Sequence, residues 1–151
     1  MDRVVVAIAL GSNLGDRRAS LNYAIDRLRT FLRPLRASSV IETEPFDVPD
    51  DQPPYLNAVV VGETSMGPEA LMAELQAIER ERGRERPSLR AARTLDVDLI
   101  LYGDRIIHTP GLEIPHPRFR EREFVLGPLG QIAPEMRDPV TGLTIQELRT
   151  R

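Results

Sequence analysis

The sequence predicts an α+β fold, one sheet crossed by helices in the order β-α-β-β-α-β, with further helices at the C-terminal end. Three observations predict it. Val4 to Leu10 and Leu95 to Tyr102 are β-rich apolar runs, and two stretches with apolar residues at helical spacing lie between them. Between those helical stretches, a proline-rich segment from Thr43 to Pro54 separates two more strand-like runs.

Val4 to Leu10 reads as a continuous buried strand, and "GSNLGD", Gly11 to Asp16, turns the chain into a helix for which Asp16 is the expected N-cap. Leu21, Ala24, Ile25, Leu28 and Leu32 recur at helical spacing until Pro34 stops the run. A second strand is expected at about Ala37 to Glu42. The segment Thr43 to Pro54 carries four prolines, Pro45, Pro49, Pro53 and Pro54, and reads as a long loop, of a length that is often functional. Strand three then runs from Tyr55 to about Thr64. Pro68 opens the next helix, Leu71, Met72, Leu75 and Ile78 form its apolar stripe, and Gly83 ends it. Strand four is Leu95 to Tyr102, Gly103-Asp104 is a turn signal, and Ile106-Ile107 is a short return strand. The prolines of "TPGLEIPHPRF", Thr109 to Phe119, predict irregular structure. A helix near Glu121 to Leu129 and a last one with a Thr144-x-x-Glu147 capping box complete the chain. This order is that of a ferredoxin-like βαββαβ sandwich with additional C-terminal helices. The 151 residues, 41% hydrophobic, suit a single domain over residues 1–151.

Composition excludes several kinds of chemistry. Cysteine is absent, which removes disulfides, thiolate nucleophiles and cysteine-ligated metals. All 20 basic residues are arginine, so no lysine is present for a Walker A loop or a Schiff base. A net charge of −3 and a pI of about 5.5 give no overall field for nucleic acid or an anionic membrane, so any anion site must be local. The first apolar run is too short to span a membrane and lacks a cleavage pattern, and the expectation is a cytoplasmic protein.

The stretch "ARTLDVDLILYG", Ala92 to Gly103, places two aspartates in a core-bound strand. Alternation puts Leu95, Val97, Leu99 and Leu101 on one face and Asp96, Asp98 and Ile100 on the other. The carboxylates then stand about 6.6 Å apart, from two residues of strand rise. Hard oxygen ligands in such a pair favour Mg²⁺, which takes one or two carboxylates together with substrate phosphates. An isolated Asp-x-Asp is more often a solvated face paired with arginines. Arg82, Arg84, Arg86, Arg90 and Arg93 crowd the stretch just upstream, and without an anion they would repel one another. Acids for metal beside arginines for phosphate make a constellation suited to phosphoryl transfer.

Tyr55 and Phe124 are two of only seven aromatics, and either could be core or ligand platform. Asn57 follows two residues beyond Tyr55 on the same strand face, where an amide can read a polar ring or bond a strand edge. His116 sits between two prolines in a rigid loop. Neither a His-x-x-x-His spacing nor a Ser-His-Asp assignment is evident.

Taken together, "ALGSNLGD", "ETEP", "DQPPYLNAVV", "IERERGR", "RTLDVDLILYG", "IPHPRFREREFVLGPL" and "IAPE" resemble 6-hydroxymethyl-7,8-dihydropterin pyrophosphokinases of folate biosynthesis, in order from Ala9 to Glu135. The resemblance implies pyrophosphoryl transfer from MgATP to the hydroxymethyl group of the reduced pterin, leaving AMP. It implies that Asp96 and Asp98 hold two Mg²⁺ ions and act in catalysis with Arg84 and Arg93. Tyr55 and Phe124 match the aromatics that sandwich the pterin, while Thr43, Asn57, Asp96 and the backbone near Phe46 match groups beside it. Gln76, Glu79, Arg84, Arg93, Leu99, His116 and Arg122 match positions around ATP. The loops after Gly11, Thr43 and Arg84 match the family's mobile covers. Where the family usually has Trp-Gly-Pro, this chain reads Arg90-Ala91-Ala92. Glu44 replaces a common proline, and Gly111 and Glu113 stand where some members offer polar or basic nucleotide contacts.

The expected partners are therefore ATP and a reduced pterin alcohol, with no nucleic acid and no membrane, acting on a monomer. A non-catalytic ferredoxin-like ligand-binding module explains the fold but not the aspartates facing arginines. A nucleic-acid binder would use the same arginines and aromatics, against an acidic overall balance.

Overall fold

Strand β1 (Val4–Ser12) lies between two antiparallel neighbours, β4 (Tyr55–Thr64) and β5 (Asp96–Tyr102), and its sequence VVVAIALGS serves two cores at once. The structure, a computed structural model, describes residues 3–43, 54–83 and 95–151. Among these, the main sheet has five strands in the order β2-β4-β1-β5, where β2 is Leu35–Ala37, and β3 (Ile41–Thr43) also pairs with β4. Every pairing in it is antiparallel.

Helices α1 (Arg17–Leu28) and α2 (Pro68–Gly83) cover one face, where Leu21, Leu28, Leu71, Leu75 and Ile78 pack on Val6, Ile8, Leu10 and Val60. Helices α3 (Glu123–Ile132) and α4 (Ile145–Thr150) cover the other, where Val125, Leu129 and Ile145 pack on Ala7, Val59 and Val61. The large row Val6, Ile8 and Leu10 thus faces one layer, and the small row that begins at Ala7 faces the other. No helix among the described residues is long and apolar enough to cross a membrane.

The expected caps form: Asp16 accepts from the Ala19 N–H at 3.0 Å, and Thr144 and Glu147 close a reciprocal capping box. Helix α2 has the bounds Pro68 to Gly83 that its sequence predicts. Helix α1 ends at Leu28, and Leu32 remains in the core because its N–H closes back on the Leu28 carbonyl at 2.8 Å. Strand β1 continues two residues past Leu10, through Gly11 and Ser12.

Three expectations need correction. The strand expected at Ala37 to Glu42 is two strands, β2 and β3, because three residues, Ser38 to Val40, face only Ala58 and Val59 of β4. Ser38 makes this bulge by offering its hydroxyl, where a ladder would offer a carbonyl, to the Val59 N–H at 2.9 Å. The return strand at Ile106-Ile107 is β6 (Ile107–Thr109), and it pairs with β7 (Leu112–Ile114) inside the segment expected to be irregular. Gly111, at φ +82°, makes the tight turn between them. Finally, Leu101 does not share a face with Leu95, Val97 and Leu99. Ala7 pairs with Leu101 but Ile8 pairs with Leu99, so Ile100 is an extra residue in β5, and the bulge turns both Ile100 and Leu101 toward α3. The loop expected over Thr43 to Pro54 and the arginine stretch after Gly83 lie largely outside the described residues.

A buried ion pair fixes the C-terminal layer. Asp138 is fully buried and accepts from Arg120 Nε at 2.5 Å and Nη2 at 2.8 Å, the Thr141 hydroxyl at 2.8 Å and the Val140 N–H at 3.0 Å. Burial opposes ionisation of this carboxyl, but the Arg120, Thr141 and Val140 bonds outweigh it and hold it below the usual carboxylate range. Asp138→Ala strands Arg120, whose side chain is only 20% exposed, and should cost about 3 kcal/mol, a fall in Tm of roughly 6–12 °C at neutral pH. Because the folded pKa is depressed, this stability is present above the unfolded value near 4 and disappears as pH falls through the folded one. Thermal melts of the two proteins should therefore begin to approach one another below about pH 4 and converge only once pH has fallen past the depressed folded pKa, where Asp138 is protonated in both states; a gap that persists at that acid limit would mean packing, not charge, carries the effect.

Candidate active site

The end of the sheet where β1 finishes and β4 and β5 begin carries two cross-strand rows, Asn57–Gly11–Asp96 and Val59–Ala9–Asp98. Residues opposite one another in neighbouring strands share a face, so Asn57, Gly11 and both aspartates point to the side covered by α3. Next to Ala7 that side is packed core. Toward Gly11 it opens into a cavity of about 1120 Å³, lined among others by Gly11, Thr43, Tyr55, Asn57, Asp96, Asp98, Arg122 and Phe124.

Within it, the Asn57 amide is nearly buried and donates through Nδ2 to the Thr43 hydroxyl at 2.7 Å. Register explains the contact: Thr43 pairs with Tyr55 and Ile41 with Asn57, so the side chains of β3 and β4 meet. That bond sets the amide, and its oxygen lies toward Gly11. Phe124 stands in the first turn of α3 and is 37% exposed, with the Arg122 guanidinium 5.6 Å from its ring centroid. A cationic group and a ring face therefore border the cavity together.

A second cavity, of about 300 Å³, lies along β5, lined by Asp98, Leu99, His116, Met72, Gly111 and Glu113 among others. Asp98 lines both cavities. His116 is placed by two backbone-linked bonds: its N–H donates to the Ile100 carbonyl at 3.0 Å, and its Nδ1 accepts from the Arg118 N–H at 3.2 Å. Burial lowers its pKa below the ordinary histidine value, Arg122 and Arg118 push the same way, and Asp98 and Glu113 oppose them. The ring is thus neutral at pH 7, with Nδ1 accepting and Nε2–H left as a donor.

The structure therefore sorts the candidate residues. Thr43, Tyr55, Asn57, Asp96, Arg122 and Phe124 gather in the larger cavity, Leu99 and His116 in the smaller, and Asp98 belongs to both. Gln76 is exposed on α2 and lines neither. Glu79 also lines neither and accepts the Val97 N–H at 2.7 Å, between the two aspartates. Phe46, Arg84 and Arg93 lie outside the described residues. Gly111 and Glu113 line the smaller cavity, and Glu113 bonds His108 across the β6–β7 pair at 3.3 Å. Sequence reasoning missed Gly11, Ala9 and Arg118 as lining residues; the alternation of small side chains at Ala7, Ala9 and Gly11 is the signal that could have found the first two.

Among the described residues no cluster of three or more histidine or acidic side chains is placed to hold a metal. Asp96 in the larger cavity and Asp98 where the two cavities meet offer two hard carboxylates, which fits an ion that completes its shell with water and phosphate, and fits a structural zinc site poorly.

Comparison with known proteins is consistent along the chain. The family model for 7,8-dihydro-6-hydroxymethylpterin-pyrophosphokinase (HPPK) matches residues 7–134. The chain is 38% identical over 136 residues to the 2-amino-4-hydroxy-6-hydroxymethyldihydropteridine pyrophosphokinase of Pseudomonas aeruginosa, covering 89% of this chain and 83% of that protein. It is 42% identical over 146 residues to the folic acid synthesis protein fol1 of Pneumocystis carinii, covering 96% of this chain but only 20% of that longer protein. A crystal structure of Plasmodium falciparum HPPK-DHPS superposes with a TM-score of 0.77 over 99% of this chain and 45% of that one, at 16% identity, a likeness of fold. On the span of the family match and the identity to a relative of similar length, this chain belongs to the 7,8-dihydro-6-hydroxymethylpterin-pyrophosphokinase family.

Proposed function

We propose that this chain transfers a pyrophosphoryl group from ATP to the hydroxymethyl group of 6-hydroxymethyl-7,8-dihydropterin, giving AMP and the pterin diphosphate, a step in folate biosynthesis. The observation that carries the reading is the meeting of two unequal cavities at Asp98 in a chain of this family. A flat polar ring suits the larger, which offers the rings of Tyr55 and Phe124 and the Asn57 amide. The smaller, with Leu99 and a neutral His116 donor, suits part of the nucleotide. The strand order and antiparallel pairings support a ferredoxin-like βαββαβ core beneath the site.

In this reading the side chains mainly bind and orient. Tyr55 and Phe124 hold the pterin by its faces, and Asn57, kept in place by Thr43, fixes its rotation in the plane. Asp96 and Asp98 would hold Mg²⁺, two ions in the proposal, and this metal supplies neutralisation of charge developing on the phosphate oxygens. Arg122 adds positive charge at the cavity wall, and Arg84 and Arg93 are assigned to the triphosphate. Glu79, by holding the Val97 N–H, fixes the backbone from which both aspartates project. The net charge of −3 favours small-molecule partners over nucleic acid, and the proposal is of a cytoplasmic monomer.

Mixing the protein with MgATP and the pterin alcohol should give AMP as the nucleotide product. ADP as the main product would mean that only the terminal phosphoryl group moves. Asp98→Ala should keep the fold and lose at least about a hundredfold in rate, equivalent to roughly 3 kcal/mol of barrier. Normal turnover by a folded variant would make the paired acids a solvated face. Phe124→Ala should weaken pterin binding more than ATP binding, by roughly 0.5–1.5 kcal/mol beyond the loss of the ring's buried area. Titration calorimetry of each ligand separates the two, and equal losses would remove Phe124 from the pterin slot.

A further inference from the structure

Gly11 is a glycine that the backbone does not require. It lies inside β1 opposite Asn57 and opposite Asp96, and its register with β5 is continuous back to Ile8, so the bulge at Ile100 does not explain it. Its φ is outside the left-handed region that Gly15, Gly103, Gly111 and Gly142 occupy. Nor does tight packing against the protein's own backbone explain it. A Cβ at Gly62, in the neighbouring strand, would meet the Pro34 carbonyl oxygen at 2.9 Å, whereas the nearest atom to a Cβ at Gly11 is the Asn57 side-chain Oδ1 at 3.3 Å. Glycine inside a strand weakens it and, where neither bulge nor bend is present, marks close approach of another molecule. Here the cavity lies directly over it.

We propose that Gly11 is a specificity-determining residue of the pterin slot, which keeps the space in front of Asn57 Oδ1 open to an N–H donor on the edge of a flat heterocycle. This rests on the functional reading above. The Asn57 Nδ2 is engaged by Thr43, so the amide cannot rotate away without losing that 2.7 Å bond. A methyl group at position 11 therefore presses on Oδ1 and occupies the approach to it. The nucleotide cavity does not include Gly11, and its ligand is unaffected.

The test is a double-mutant cycle of Gly11→Ala and Asn57→Ala, with equilibrium binding of 6-hydroxymethyl-7,8-dihydropterin and, separately, of a non-hydrolysable ATP analogue with Mg²⁺. Gly11→Ala should lower pterin affinity at least tenfold, leave the ATP analogue within twofold, and keep a Tm within a few degrees of the wild type. In the Asn57→Ala background the same change should cost less than twofold, since the atom it displaces is gone. Pterin affinity unchanged by Gly11→Ala, or an equal loss in both backgrounds, overturns the assignment. Should Gly11→Ala fold too poorly to assay, the comparison of Asn57→Ala with the double variant decides: equal pterin affinities support the assignment, and a further tenfold loss overturns it. Absence of pterin binding by the wild-type protein, with ATP binding intact, overturns the functional reading itself and this inference with it.

Discussion

The extra residue Ile100 in β5 is the constraint on which the arrangement of the site depends. Strict alternation from Asp96 would carry Leu101 to the α1–α2 layer and Tyr102 to the α3–α4 layer. One inserted residue reverses this, so that Ile100 and Leu101 both enter the core beneath α3 while Tyr102 joins the other layer and its hydroxyl donates to the Met66 carbonyl at 2.5 Å. Before the bulge the strand shows carboxylates to the α3 side; after it, the strand shows only apolar groups there. The same residue has no partner in β1 and gives its carbonyl to the His116 N–H. A single irregularity thus ends the polar half of the strand and brings the histidine loop beside Asp98.

Two carboxylates two residues apart on one strand end repel one another unless positive charge comes between them. Glu79 accepts the N–H of Val97, between the two aspartates, which ties its position to the strand. Arg122 and Arg118 lower the pKa of His116, and burial lowers it more, so the loop contributes a neutral donor and not another cation. Arg118, Arg122 and Arg149 bring positive charge to the larger cavity, and the Arg122 guanidinium rests over the Phe124 ring. A site with fixed acids, a neutral histidine and ring-supported arginine is arranged for a ligand that carries metal and phosphate together.

What the sequence made legible follows from which signals are local. Helix α2 has a proline at its first residue and a glycine at its last, and both bounds could be read directly. The Asp16 cap and the Thr144 capping box are likewise set by neighbours within one turn. The residues that line the larger cavity could be named because Tyr55, Asn57, Asp96 and Phe124 occur in family-like runs, and the geometry then places them together. The bulges were not legible, since Ser38 and Ile100 become irregular only through the strands opposite them. In "TPGLEIPHPRF" the prolines obscured a hairpin that Gly111 permits, and prolines flanking a strand do not interrupt its pairing.

The β1 strand carries a further lesson about how one sequence divides stability from binding. Its large row, Val6, Ile8 and Leu10, contributes throughout its length to the core under α1 and α2. The small row, Ala7, Ala9 and Gly11, changes its task along the strand. Ala7 is fully buried beneath α3, Ala9 is partly buried at the edge of that core, and Gly11 forms the cavity floor. Larger residues on this row would strengthen the strand by burial and β-propensity, yet they would fill the space that separates α3 from Asn57 and Asp96. The strand therefore keeps its large side chains on the face packed against α1 and α2, and withholds them from the face toward the larger cavity.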